Sequence, residues 1–143
     1  MNGSTPASVE MRTITLDAAQ RVVDAAVAKA REIRFAACVA VVDAAGHLIA
    51  FGRMNGAPLL SIQVAQDKAY SVAAFGGVAT HQWWGMLGDA PAVLAGIDKI
   101  DRLIIFGGGV PIVSDGVCIG ALGASGGSAD QDRAVAEFGA AAI

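Results

Sequence analysis

A handful of side chains in this sequence have the chemistry to hold or transform a small molecule. Arg53 follows a β-prone run and precedes Met54-Asn55-Gly56, so its planar fork can project beside a loop and grip a carboxylate through two parallel hydrogen bonds. A structural pair with Asp43 or Asp67 is the alternative reading. Lys68 lies within a helical pattern. Facing a pocket, it would bind an anionic group or, once desolvated, work as a base; on a solvated helix edge, it would form at most a local salt bridge. His47 comes just after a turn glycine and His81 just before Trp83-Trp84. Either imidazole can ligate a metal or act as general acid and base. The two are far apart in sequence and give no metal-ligand spacing. Trp83, Trp84 and Met86 can line an apolar cavity, although tryptophans in such a segment serve equally as core or subunit contacts.

The glycine clusters add backbone chemistry. Gly107-Gly108-Gly109 ends a β-prone run, and Ser125-Gly126-Gly127-Ser128 opens a helix. Amides there, Gly108 and Gly109 above all, can cradle an anion, or the glycines simply permit positive φ and close packing. Neither cluster leads into the Lys-Ser/Thr of a phosphate-binding loop or into GxGxxG, which disfavours nucleotides. Asp132 falls in the first turn of the last helix, where the helix dipole alone accounts for a carboxylate, and Arg133 beside it reads as solvated. No Ser/His/Asp order or Cys/His pair supplies a nucleophile. The catalytic candidates are therefore Lys68, His81 and Arg53. The binding candidates are Arg53, Asn55, Lys68, Gly108, Gly109 and Trp83.

These groups need a frame, and the sequence outlines one. Thr15 reads as an N-cap with Asp17 in the first turn, and Leu16, Ala19, Val22, Val23, Ala26, Val27 and Ala30 form a helical stripe that Arg31 and Arg34 close. FAACVAVV (35–42), the turn at 43–46 and HLIAFGRM (47–54) make a hairpin. Its first run is apolar at odd and even positions alike, which calls for helices on both faces of the sheet. A second helix is expected over 60–75, burying Ile62, Ala65, Ala69 and Val72 and leaving Gln63, Gln66, Asp67 and Lys68 at the edge, with Gly76-Gly77 as its stop. Residues 80–96 read as short helical turns and loop. RLIIF (102–106) reads as a strand, VPIV and VCIGALGAS as a second hairpin, and Ser128 with Gln131 as the capping box of a last helix. The expected fold class is α/β, a central antiparallel sheet of about five strands flanked by helices. Residues 1–12 read as a flexible lead and 13–143 as one domain.

Composition narrows the partners. Ten Lys+Arg against 13 Asp+Glu give a net charge of −3 without a basic block, which argues against nucleic acid. Hydrophobic residues reach 55% and mean hydropathy +0.55, yet no apolar run approaches the roughly 20 residues that span a bilayer. Cys38 and Cys118 sit in apolar β-like runs and read as buried, reduced thiols. With the start MNGSTPASVEMRTIT lacking a basic and apolar leader, the cytoplasm is the expected location.

Three blocks in register, VAVVDAAGHLIAFGRMNGAP (39–58), AQDKAYSVAAFG (65–76) and GGGVPIVSDGVCIGALGASGGSADQDRAVAEFG (107–139), resemble the GlcG/HbpS family, also met as the C-terminal domain of PduO-type proteins. The resemblance implies a profilin-like α/β/α sandwich, commonly a homo-oligomer, whose members bind or degrade haem or are associated with corrinoids. It implies haem as a candidate cofactor but carries over no axial ligand; if haem is bound, this chain's own candidates for metal ligand are His81 and His47. The family usually has Asp where this chain has Asn55, which removes one carboxylate from the expected pocket edge. Three functions follow: a protein binding haem or a related anionic compound through Arg53, Lys68 and a histidine; a cofactor-independent catabolic enzyme of isomerase, tautomerase or hydrolase type; and an oligomeric scaffold or stress-related module.

Overall fold

A computed structural model describes residues 3–143; residues 1–2, the start of the expected lead, lie outside the described residues. Helix α1 (Leu16–Glu32) starts where Thr15 Oγ1 accepts the Ala18 N–H, satisfying one of the amides a helix leaves open at its start. It ends before Arg34, which takes a left-handed φ of 63°. Its buried stripe is Ala18, Ala19, Val22, Val23, Ala26 and Ala30. Leu16, expected in that stripe, is instead exposed, because it is the first helical residue and points off the rim of the sheet-facing side.

Strands β1 (Cys38–Asp43) and β2 (Leu48–Arg53) form the first hairpin, and β3 (Gly109–Ser114) and β4 (Val117–Ser125) the second. β1 pairs antiparallel with β4, giving a sheet in the order β2-β1-β4-β3. Alternation along β1 divides the core. Val39 and Val41 join the cluster beneath α1 and the last helix, α5 (Ala129–Ala140). Cys38, Ala40 and Val42 face α2 (Leu59–Ala74). Both faces are covered, as the unbroken apolar run required, and the layers are α/β/α. α2 comes close to the sheet because Gly123 has no side chain: a Cβ there would collide with the Ala65 carbonyl.

The sheet has four strands, not about five. RLIIF is the expectation that fails: 102–106 is irregular. Arg102 adopts φ 63°, and the Ser71 hydroxyl accepts the Ile104 N–H at 2.9 Å and lies 3.0 Å from the Arg102 carbonyl. A helix side chain thus meets the backbone needs that a neighbouring strand would otherwise meet. Between α2 and this segment run a one-turn 3₁₀ helix (Thr80–Gln82), α3 (Trp83–Leu87), α4 (Pro91–Gly96) and a second 3₁₀ turn (Ile97–Lys99), the short turns expected there. Ser128 caps α5 in the expected box with Gln131. Both cysteines are free; Cys38 is buried, but Cys118 is half-exposed near the β3–β4 turn, contrary to expectation. No helix among the described residues is long and apolar enough to cross a membrane.

Candidate functional site

Lys68 is not at the helix edge. Only 1% of its side chain is exposed, and its ammonium donates to Asp132 Oδ2 at 2.9 Å and to the Ala124 carbonyl at 3.0 Å. The other oxygen of Asp132 accepts the Gly127 N–H at 2.9 Å. One ion pair therefore ties α2, the end of β4 and the first turn of α5 together. Burial draws the Lys68 pKa below its ordinary value, while the hydrogen bond and charge of Asp132 hold it up. The Phe106 ring covers the ammonium, its centroid 5.2 Å away. Gly108 makes this packing possible. It sits at φ +128°, and a Cβ there would lie 2.6 Å from both Lys68 Nζ and the Ala124 oxygen. Gly109 donates to Thr80 Oγ1 at 2.8 Å, so its amide is engaged within the fold and not turned to an anion.

Above the pair opens a cavity of about 290 Å³, lined by Ser61, Val64, Lys68, Phe106, Ser125 and Asp132 among others. A neighbouring cavity of about 420 Å³ shares Phe106 and Ala129 with it and adds His81, Trp84, Ile105 and Arg133. Phe106 is half-exposed and stands between the two. Among the described residues no hydrogen bond reaches the His81 ring, whose Nδ1 is buried without a partner. Burial first, then the Arg133 charge, lower the His81 pKa, which leaves its imidazole neutral at pH 7. Arg133 reaches Glu137 at 2.7 Å, with both side chains about half-exposed; such a pair contributes under about 1 kcal/mol and opens readily.

The structure thus brings Lys68 and His81 to adjacent cavities, with Gly108 and Gly109 packed against Lys68, and leaves Arg53, Asn55, His47 and Trp83 elsewhere. Arg53 donates to the Ala57 carbonyl at 2.7 Å and pairs with neither Asp43 nor Asp67, whose partners are His47 and Arg102. Asn55 is exposed in the turn after β2. His47, 76% exposed, sits in the β1–β2 turn. None of these three lines any of the five cavities found. Trp83 lines a third cavity, away from Lys68. Sequence reasoning missed Phe106 and the role of Arg133, whereas the Ser125-Gly126-Gly127 loop it singled out does line the first cavity. Asp132 was noticed, but its partner stands 64 positions away. No group of three or more His, Cys, Asp or Glu side chains placed to hold a bare metal ion exists among the described residues.

This arrangement can be set beside known proteins. The model of a family described as haem degrading protein HbpS-like matches residues 14–141. The chain belongs to the HbpS-like family. Within it, a 15.0 kDa protein in the dhaT-dhaS intergenic region of Citrobacter freundii is 37% identical over 132 residues, covering 91% of this chain and 92% of that one. The crystal structure of the Klebsiella pneumoniae protein ORFY superposes with a TM-score of 0.88 at 34% identity, covering 98% and 97% of the two chains. The crystal structure of a PduOC:heme complex superposes at 0.82 with 32% identity, covering 92% and 95%. HbpS-like relatives thus include a haem-bound structure, and haem binding is supported at the level of the family.

Proposed function

We propose that this HbpS-like protein binds haem or a related planar acid in the paired cavities around Phe106. The observation that carries the reading is His81: an imidazole that makes no hydrogen bond among the described residues, on the wall of a cavity also lined by Trp84, Ile105, Phe106, Asp130 and Arg133. Those residues fit the group. The imidazole suits iron, the aromatic and aliphatic walls suit a macrocycle, and Arg133 would exchange Glu137 for a propionate. When bound, haem supplies a redox-active iron. Lys68 adds little net attraction for an acid, since Asp132 neutralises it; its part is to hold the start of α5 against the cavity. The cation available to the guest is Arg133, not the Arg53 and Lys68 pair, and the Asp130 carboxylate on the same wall directs the acidic groups toward Arg133.

Titration of the purified protein with hemin, followed by absorbance, tests the proposal. Wild type should shift the Soret band saturably. His81→Ala should remove the shift while His47→Ala keeps it, and Arg133→Ala should weaken binding about tenfold. A Soret shift that survives loss of His81 would sink the ligation claim. The exposed Trp84, Met86, Val93 and Ile100 support a homo-oligomer, which sedimentation would reveal as a species heavier than 14.4 kDa.

A further inference from the structure

The third cavity, of about 400 Å³, shares no lining residue with the other two. It lies between the C-terminal half of α2 and the α3–α4 region, walled by Tyr70, Phe75, Trp83, Leu87, Ile97 and Leu103. Trp83 is 6% exposed and packs on Phe75 with ring centroids 4.7 Å apart. Its Nε1 is buried and has no acceptor among the described residues. An indole N–H can only donate, and buried donors are rarely left unmet. Two other polar groups nearby are occupied. The Ser71 hydroxyl serves the 102–104 backbone, and Arg102 pairs with Asp67 and stacks on Tyr70 with 4.0 Å to the ring centroid. Asp101, exposed, is the one charged side chain on the wall. The lining therefore disfavours an anion and offers one buried unmet donor amid apolar surface, with the Tyr70 hydroxyl as the other neutral polar group on the wall.

We infer that this cavity is a second binding site, taking a small neutral aromatic compound with one hydrogen-bond acceptor, such as an aryl ketone, whose oxygen receives the Trp83 N–H. It uses no residue of the haem reading, but its rim includes Val93 and Ile100, named above as a subunit contact, so a second copy over that face would compete with the guest.

Acetophenone and ethylbenzene, two probes of nearly equal shape that differ in the acceptor, test it on the full chain. With ¹⁵N-labelled protein and Trp84→Phe to assign the indole signals, acetophenone should move the Trp83 Nε1–H resonance saturably. It should bind about five- to tenfold tighter than ethylbenzene, the difference one hydrogen bond makes. Trp83→Phe should erase that preference. Should Trp83→Phe not fold, Ala74→Leu, at an exposed position on the wall, should weaken both probes without changing the hemin titration. Absence of a saturable shift, equal affinity for the two probes, binding indifferent to Ala74→Leu, or exclusion of both probes by a second copy packed over the cavity would each overturn the inference.

Discussion

Replacing Lys68 with methionine tests whether the buried ion pair holds the site together. The substitution keeps the aliphatic volume but removes two hydrogen bonds, to Asp132 Oδ2 and to the Ala124 carbonyl. It strands a carboxylate that is 4% exposed, with the Gly127 amide as its remaining partner. Breaking one side of such a pair costs about 3–5 kcal/mol, a large share of the 5–15 kcal/mol by which a domain is stable. With a urea m-value near 2 kcal/mol per molar, the unfolding midpoint should fall by about 2 M at pH 7 with m unchanged. Lys68→Met/Asp132→Asn should be more stable than Lys68→Met alone, because the double change leaves no lone charge and keeps an acceptor for Gly127. Asp132→Asn by itself should recover as pH rises. Without the carboxylate only desolvation acts on Lys68, so its folded pKa lies below the unfolded 10.5; the unfolded chain binds more protons in that interval, and stability climbs with pH through it. A Lys68→Met cost under about 1 kcal/mol, the range of exposed pairs, or strict additivity in the double variant, would refute the argument.

Gly108→Ala should destabilise by more than about 2 kcal/mol, since φ +128° and the 2.6 Å approaches to Ala124 and Lys68 both oppose a Cβ. Gly116→Ala, at φ +76° with open space around it, should cost only about 1 kcal/mol; equal urea midpoints for the two would contradict this. Ser71→Ala should speed hydrogen exchange at the Ile104 amide, which the hydroxyl protects, with little change at the β1 amides. Hemin bound by His81 should be lost on acidification only below the ordinary histidine pKa of 6.5, because burial and Arg133 lower that of His81; a spectrophotometric midpoint at or above 6.5 would count against His81 as ligand.

The layers were legible because they rest on local signals. The Thr15 cap and the Ser128–Gln131 box mark helix starts, and the double-sided apolar run 38–42 announces a covered strand. RLIIF misled because its β-prone composition is a real propensity, overruled by a Ser71 hydroxyl some 30 positions earlier. The site was half legible for the same reason. Lys68 and His81 stand out by type, but helical periodicity assigned Lys68 to the rim. Only the fold reveals that the missing side chains of Gly108 and Gly123 let α2 sink against β3 and β4, carrying the lysine inward. Arg53 was attractive by position after a strand, yet the carbonyl of Ala57, four residues on, claims its guanidinium.

The β1–β4 pairing has a bearing on how the chain reaches this state. It joins Cys38 to Ser125 and Asp43 to Gly120, partners about 80 positions apart, so the centre of the sheet closes only after both ribbons and the long α3–α4 excursion between them exist. During synthesis the valine-rich flank of β1 waits bare while the rest of the chain is made, an open template for another strand. Nascent copies crowded on one message are thus most vulnerable to sticking together before β4 arrives, and variants that slow its docking should lower soluble yield even where the finished protein is no less stable.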